Sequence, residues 1–282
     1  MALFGRNDNN NNYTDLSGMN YSNGYGQNQY QQNPYQQNPY QQNGYGQQAY
    51  YPQPAQNYGG SALSLSEFTS RVYMQMFIGL LITFGIGLVA VLNPTATMEL
   101  VAEHIEIYLV LVLVEVVMVF ILGLMVNKMS STAATVVFYA YSIVNGLTIA
   151  PALVLYDMGT VFFAMAVTAG IFGLMSFVGK VSKMDVSKWG SILMFGLIGL
   201  IVFSIIAMIV NILMSDLFIS LFGIALFMGF TIYDTKKIRA FYASAYNEET
   251  QKKTVIIAAL QLYLDFINLF LYILRLFARS RD

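Results

Sequence analysis

Residues 260–277 read LQLYLDFINLFLYILRLF. Almost every side chain in this run is one a lipid accepts, and Asp265 stands in the middle of it. A carboxylate at a membrane-helix centre costs about 2.5–3.5 kcal/mol on the insertion scale. An acid kept at that cost is a candidate for proton sensing or ion binding. Gln261, Asp265, Asn268, Tyr272 and Arg275 follow steps of four, three, four and three, which mark one face of an α-helix. The other faces are mostly Leu, Ile and Phe. A membrane helix with one polar stripe turns it inward, onto a bundle core or a water-filled cavity. The last helix is therefore expected at the centre of a bundle, with Arg275 able to snorkel to the outer interface.

A second acid, Asp234, lies in FTIYDTKKIR, upstream of this helix. If the two apolar runs form an antiparallel hairpin turning near Asn247–Thr250, Asp234 and Asp265 come to similar depth, within about one helical turn. Span boundaries drawn from hydropathy alone place Asp234 near the interface and Asp265 near mid-membrane. An off-centre turn or a wet vestibule reconciles the two placements. Two carboxylates close together in a low dielectric do not both ionise cheaply, so they share a proton and titrate as a pair. Fully ionised, they offer hard oxygens suited to Ca²⁺. The alternative is that a neighbouring hydroxyl, amide or lysine satisfies each acid, which then only holds helices together.

The elements that must position these acids follow from composition. The 282 residues are 56% hydrophobic and 10% charged. A soluble domain carries about 25% charged residues, so the chain is expected to be an all-α integral membrane protein. With no cysteine, disulfide scaffolds and thiol chemistry are excluded. A single histidine, His104, excludes paired-histidine zinc sites. No cofactor is expected, and a net charge of −1 suggests no nucleic-acid partner. Apolar runs at 72–92, 107–126, 133–156, 160–179, 189–214, 217–233 and 254–277 make seven spans at about 20 residues each. Glycines within them (Gly79, Gly85, Gly87, Gly170, Gly173, Gly196, Gly199) are expected at close helix contacts. Asn145 and Asn211 are expected to hydrogen-bond between helices, with pore lining as the other reading.

Residues 1–62 are a different material, and residues 63–282 form the seven-helix domain. The first 60 residues hold 12 Asn, 12 Gln and 10 of the 20 Tyr. Tyrosines from Tyr25 to Tyr50 recur every five residues, a period that suits neither helix nor strand. With almost no aliphatic side chains, the segment is expected to be a disordered, prion-like tail.

Eleven of the 14 bases fall in the tail or in loops on its side, Lys128 and Lys236 among them. The opposite loops carry Glu99, Glu103, Glu106, Asp157 and Asp216 and no base. The bias toward Lys and Arg places the N-terminus in the cytoplasm. Seven full spans then put the C-terminus outside, although Arg275, Arg279 and Arg281 are there. The other solution is a last helix that enters and returns.

The motif ALQLYLDFINLFLYILRLF, with IYDTKKI after the sixth span and SLSEFTSRVYMQMFIGLLI at the first, resembles the transmembrane Bax inhibitor motif family over roughly residues 65–280. The resemblance implies seven helices with the last one central. It implies a pH-sensitive Ca²⁺ leak gated by an aspartate pair that maps onto Asp234 and Asp265. Glu115, in LVEVVMVF of the second span, is similar to a family acid. Gln261, Asn268 and Arg275 are expected to line or support the path. Some bacterial relatives end the second span with bases, one of which latches onto the sixth-helix aspartate. Here the stretch reads LMVNKMS, with Val126 at that position and Lys128 as the only base available.

The function expected is thus a calcium or cation leak channel, with the lipid bilayer, Ca²⁺ and protons as partners, in a bacterial plasma membrane. The family also includes a modulator of a membrane protease, so a non-conducting regulator that binds other membrane proteins is the alternative. An enzyme is not expected. Intramembrane aspartyl proteases share the paired-aspartate layout, but they carry Gly-x-Gly-Asp where this chain has LYLD.

Overall fold

The computed structural model describes residues 63–210 and 215–279. The tail expected over residues 1–62, together with Asn211 and Arg281, lies outside the described residues. Among the described residues eight α-helices follow in order: α1 (Leu65–Leu92), α2 (Pro94–Glu103), α3 (Ile105–Met125), α4 (Ser131–Val154), α5 (Met158–Val181), α6 (Trp189–Val210), α7 (Ser215–Ser244) and α8 (Glu248–Arg279). A 3₁₀ turn, Val126–Lys128, closes α3. Among the described residues, seven helices (all but α2) are long and apolar enough to cross a membrane. The protein is an all-α multi-pass membrane protein, as its composition requires.

Local chemistry sets the helix starts. Ser64 and Glu67 form a capping box, so α1 begins seven residues before the apolar run that marks it. The Ser130 side chain accepts from the Ala133 N–H to start α4, and Asp157 accepts from the Thr160 N–H to start α5. Two contacts tie the beginning of α8 to its neighbours. Glu249 accepts from the backbone N–H of Ser131 at 2.6 Å and from its hydroxyl at 2.8 Å. Gln251 Oε1 accepts from the Leu63 N–H at 3.2 Å.

The last helix is the axis of the bundle. Its membrane window is 72% buried, against 50% for α4 and no more than 33% for any other span. It packs against α1, α4, α5 and α7, while α3 lies mainly on α4 and α6 on α7. Ala258, Leu262, Tyr263, Leu269, Phe270 and Ile273 are all buried, so neighbours cover both its polar and its apolar sides. It is one unbroken helix of 32 residues. A helix that enters and returns is therefore not formed, and α8 is long and apolar enough to cross fully. Its far end meets the start of α7, where Arg275 pairs with Asp216 at 2.9 Å.

Glycine fixes the register between α7 and α8. A Cβ on Gly223 would stand 2.6–2.7 Å from three ring atoms of Tyr272, so the ring rests directly on the α7 backbone. The wider expectation for glycines holds in part. Gly79 and Gly87 are pressed against Phe138 and Leu153, and Gly196 against Leu226. Gly85, Gly170, Gly173 and Gly199 have nothing within 4 Å of a Cβ, because they sit on helix faces with no packed neighbour.

Candidate functional site

The register of α7 against α8 decides where the two acids meet. From the Gly223–Tyr272 contact, Asp234 is eleven residues along α7 and Asp265 is seven residues back along α8, in the same direction. The four-residue difference is about 6 Å along the axis. The carboxylates lie within electrostatic reach of one another, and both residues are buried. α7 continues as helix for ten residues past Asp234, so the two acids come to a similar level in the bundle although hydropathy boundaries separate them.

The surroundings of the pair are short of hydrogen-bond donors. Asp265 Oδ2 is fully enclosed and has no hydrogen-bond partner among the described residues. The same holds for Gln261 Oε1, one turn earlier on the same face, and for Ser176 Oγ on α5. Ser176 is one turn from Gly179, whose backbone touches Thr235, the neighbour of Asp234. Ser220 Oγ, fourteen residues before Asp234 on α7, is likewise enclosed without a partner among the described residues, so such atoms are not confined to the surroundings of the pair. Beside Asp265 on α8 the packing is aromatic. Phe266 is edge-on to Phe172 at 5.4 Å and to Phe84 at 6.3 Å, and Phe270 is edge-on to Phe84 at 5.1 Å.

The rest of the polar stripe divides by role. Asn268 donates to the Leu264 carbonyl of its own helix at 2.8 Å. Tyr272 stacks on Phe227 at 5.9 Å between ring centres. Arg275 is exposed at the rim, in the Asp216 pair already described.

Lys128, the one base from which a latch could be rebuilt if the latch is not absent, stands exposed in the turn after α3 and makes no ion pair with Asp234 among the described residues. The base that acts on Asp234 is Lys237, one turn further along α7. Its ammonium lies 5.6 Å from the Tyr233 ring centre and 5.0 Å from that of Phe241. The reason is sequence spacing: a base three residues away on the same helix reaches an acid without crossing the bundle.

Glu115 is not part of the pair. It lies across the bundle in a separate network, whose members sequence reading did not connect. Its carboxylate accepts from Asn145, from Tyr141 at 3.3 Å and from Thr148 at 2.7 Å, all on α4. Asn145 Oδ1 in turn accepts from the Tyr263 hydroxyl on α8 at 2.8 Å. That hydroxyl also shares a 2.6 Å hydrogen bond with Thr83 of α1, which donates to the Ser142 carbonyl at 2.8 Å. Asn145 is therefore an interhelical hydrogen-bonding residue, as expected. Tyr263 is two residues from Asp265, about 200° around the helix, so α8 carries polar groups on opposite sides at nearly one depth. A tyrosine off the polar stripe gives little sequence signal, because its ring packs as well as a phenylalanine does.

The chain matches the family described as "Inhibitor of apoptosis-promoting Bax1" over residues 65–282. A Deinococcus radiodurans protein, uncharacterized by its name, is 36% identical over 215 residues, covering 76% of this chain and 91% of its own length. The inner membrane protein YbhL of Escherichia coli K12 is 33% identical over 219 residues, covering 77% of this chain and 93% of its own. A Borreliella burgdorferi protein is 32% identical over 218 residues, covering 77% and 94%. Matched over a range that spans all seven apolar helices, the chain belongs to the Bax1 inhibitor family of membrane proteins.

Proposed function

We propose that this protein is a pH-sensitive leak pathway for calcium or a similar cation, with Asp234 and Asp265 as its titrating gate. The observation that carries the reading is the enclosed, unpartnered Oδ2 of Asp265 beside a second buried carboxylate. A buried acceptor without a partner costs about 1–3 kcal/mol, and a passing proton or cation is what such a group can bind. Two carboxylates supply fewer oxygens than the six to eight a resident Ca²⁺ takes. They suit an ion in transit, with Ca²⁺ as cargo and not as a held cofactor. When the pair shares a proton its oxygens are less available to a cation. When both acids ionise, their repulsion favours separation of α7 from α8.

Transport is favoured over catalysis by the helix itself. Asp265 lies inside an unbroken α8, between Leu264 and Phe266, with no glycine beside it to free the backbone. The Lys-rich and Glu/Asp-rich loops alternate along the chain, and the bias of bases toward the cytoplasm supports an N-terminus on that side. The bacterial relatives support a bacterial plasma membrane.

The test is Ca²⁺ entry into proteoliposomes across neutral pH, comparing the wild type with Asp265→Asn. Wild-type flux that varies with pH, and a variant that has lost the dependence, is the expected result. Wild-type flux no greater than that of empty liposomes would sink the leak reading.

A further inference from the structure

A cavity opens at the Lys-rich rim, between the start of α1 and the ends of α5 and α7. It measures about 690 Å³. Lys180, Lys236 and Arg239 line it, and none of the lining side chains is acidic. Hydroxyls of Ser66 and Ser70 on the first turns of α1 face the same space, and neither has a hydrogen-bond partner among the described residues. Three cations and free hydroxyls around one pocket make a receptor for a phosphate oxyanion.

Not all of this charge is equally available. Lys236 donates to the carbonyls of Ser182 and Met184 at 2.7 and 2.6 Å, and Arg239 to that of Lys180 at 3.3 Å. Those bonds hold the cations at the mouth without neutralising them, since carbonyls carry no net charge. Lys180 itself is exposed and forms no ion pair among the described residues. Glu67 and Asp234 adjoin lining residues in sequence without lining the pocket, and Asp185 interacts with Lys188 and Lys236 from outside it. A hydrogen bond from the Ser187 N–H holds its carboxyl below the usual range, so it stays ionised.

The flank of the pocket is apolar. Phe177, Val181 and Met184, on and just after the last turns of α5, are large hydrophobic side chains left exposed. A ligand that fills the pocket and also covers this flank carries a phosphate and a hydrocarbon together. We infer that the pocket between α1, α5 and α7 seats the headgroup of an anionic phospholipid, with its acyl chains along α5.

The experiment uses the full chain, purified in an uncharged detergent. Phosphatidylglycerol and phosphatidylcholine are offered to it separately, and retained lipid is counted by native mass spectrometry alongside the melting temperature. The expected result is selective retention of phosphatidylglycerol and a rise in melting temperature with that lipid only. Lys180→Gln, whose side chain makes no hydrogen bond or ion pair among the described residues, should weaken retention about fivefold, the effect of one basic residue near an anionic lipid. Arg239→Gln should act in the same direction, and Lys252→Gln, on the other side of α1, should not. Equal retention of the two lipids would overturn the proposal, as would unchanged retention in both the Lys180 and the Arg239 variants. Stabilisation by inorganic phosphate equal to that by the lipid would overturn the lipid assignment and leave a soluble phosphate in its place. None of these readouts depends on ion flux, so they stand or fall apart from the leak reading.

Discussion

Replacing Asp265 by Asn exchanges a carboxylate for an amide of almost the same shape, and the sign of the stability change separates two roles for this residue. In the structure Oδ2 is enclosed without a hydrogen-bond partner among the described residues, and Asp234 lies within electrostatic reach. The amide removes one of the two competing acids and brings an N–H₂ donor toward the other. An unsatisfied buried group costs about 1–3 kcal/mol, so Asp265→Asn is expected to stabilise the fold by about that amount. With roughly 2–4 °C per kcal/mol for a domain of this size, the melting temperature of the purified protein should rise measurably. Asp234→Asn and the double variant complete a cycle, and contacting residues couple by about 0.5–3 kcal/mol. A loss of stability of 1 kcal/mol or so in Asp265→Asn would show that the carboxylate is a structural hydrogen-bond centre. Additive effects of the two substitutions would show that the acids do not act as a pair. A variant that is more stable but no longer responds to pH is the signature of an acid retained for function at a cost to the fold.

Two further outcomes test the framework around the pair. Tyr263→Phe removes two buried hydrogen bonds, to Asn145 and to Thr83. At an average near 0.6 kcal/mol per bond in a membrane bundle, it should lower stability by about 1 kcal/mol. Because Tyr263 faces away from Asp265, the pH response of flux should survive, and its loss would contradict the separation of the two polar faces. Gly223→Leu drives a side chain into the Tyr272 ring, an overpacking that typically costs about 1–3 kcal/mol. Tyr272→Ala in the same chain should restore part of the lost melting temperature, and no recovery would refute the register on which the pairing of the acids rests.

Much of this was legible in the sequence, for identifiable reasons. The steps from Gln261 to Arg275 follow helical periodicity, and a polar stripe on an otherwise apolar helix has only the bundle interior to face. The centrality of α8 is therefore a consequence of its own residues. The approach of Asp234 to Asp265 followed from a short connection between two long helices, since a hairpin fixes register to within about a turn. The position of Lys128 was not legible. Its sequence shows a base near the end of a span, but whether that base reaches across the bundle depends on how α3 sits, and α3 lies on the periphery against α4. Lys237 lies beyond the expected end of the sixth span, and its three-residue spacing from Asp234 became a helical one only because α7 runs on to Ser244.

The sequence by itself determined the class of protein, the number of spans and the face of α8 that must be shielded, because hydropathy and helical period act along a single segment. Only the tertiary structure decided which groups share a site. It joined Glu115, Asn145, Tyr263 and Thr83 across four helices, left Asp265 Oδ2 without a partner among the described residues, and gathered Lys180, Lys236 and Arg239 around one cavity. Those outcomes depend on the rotation and depth of each helix relative to the others, and these are set by side-chain packing between segments far apart in the chain.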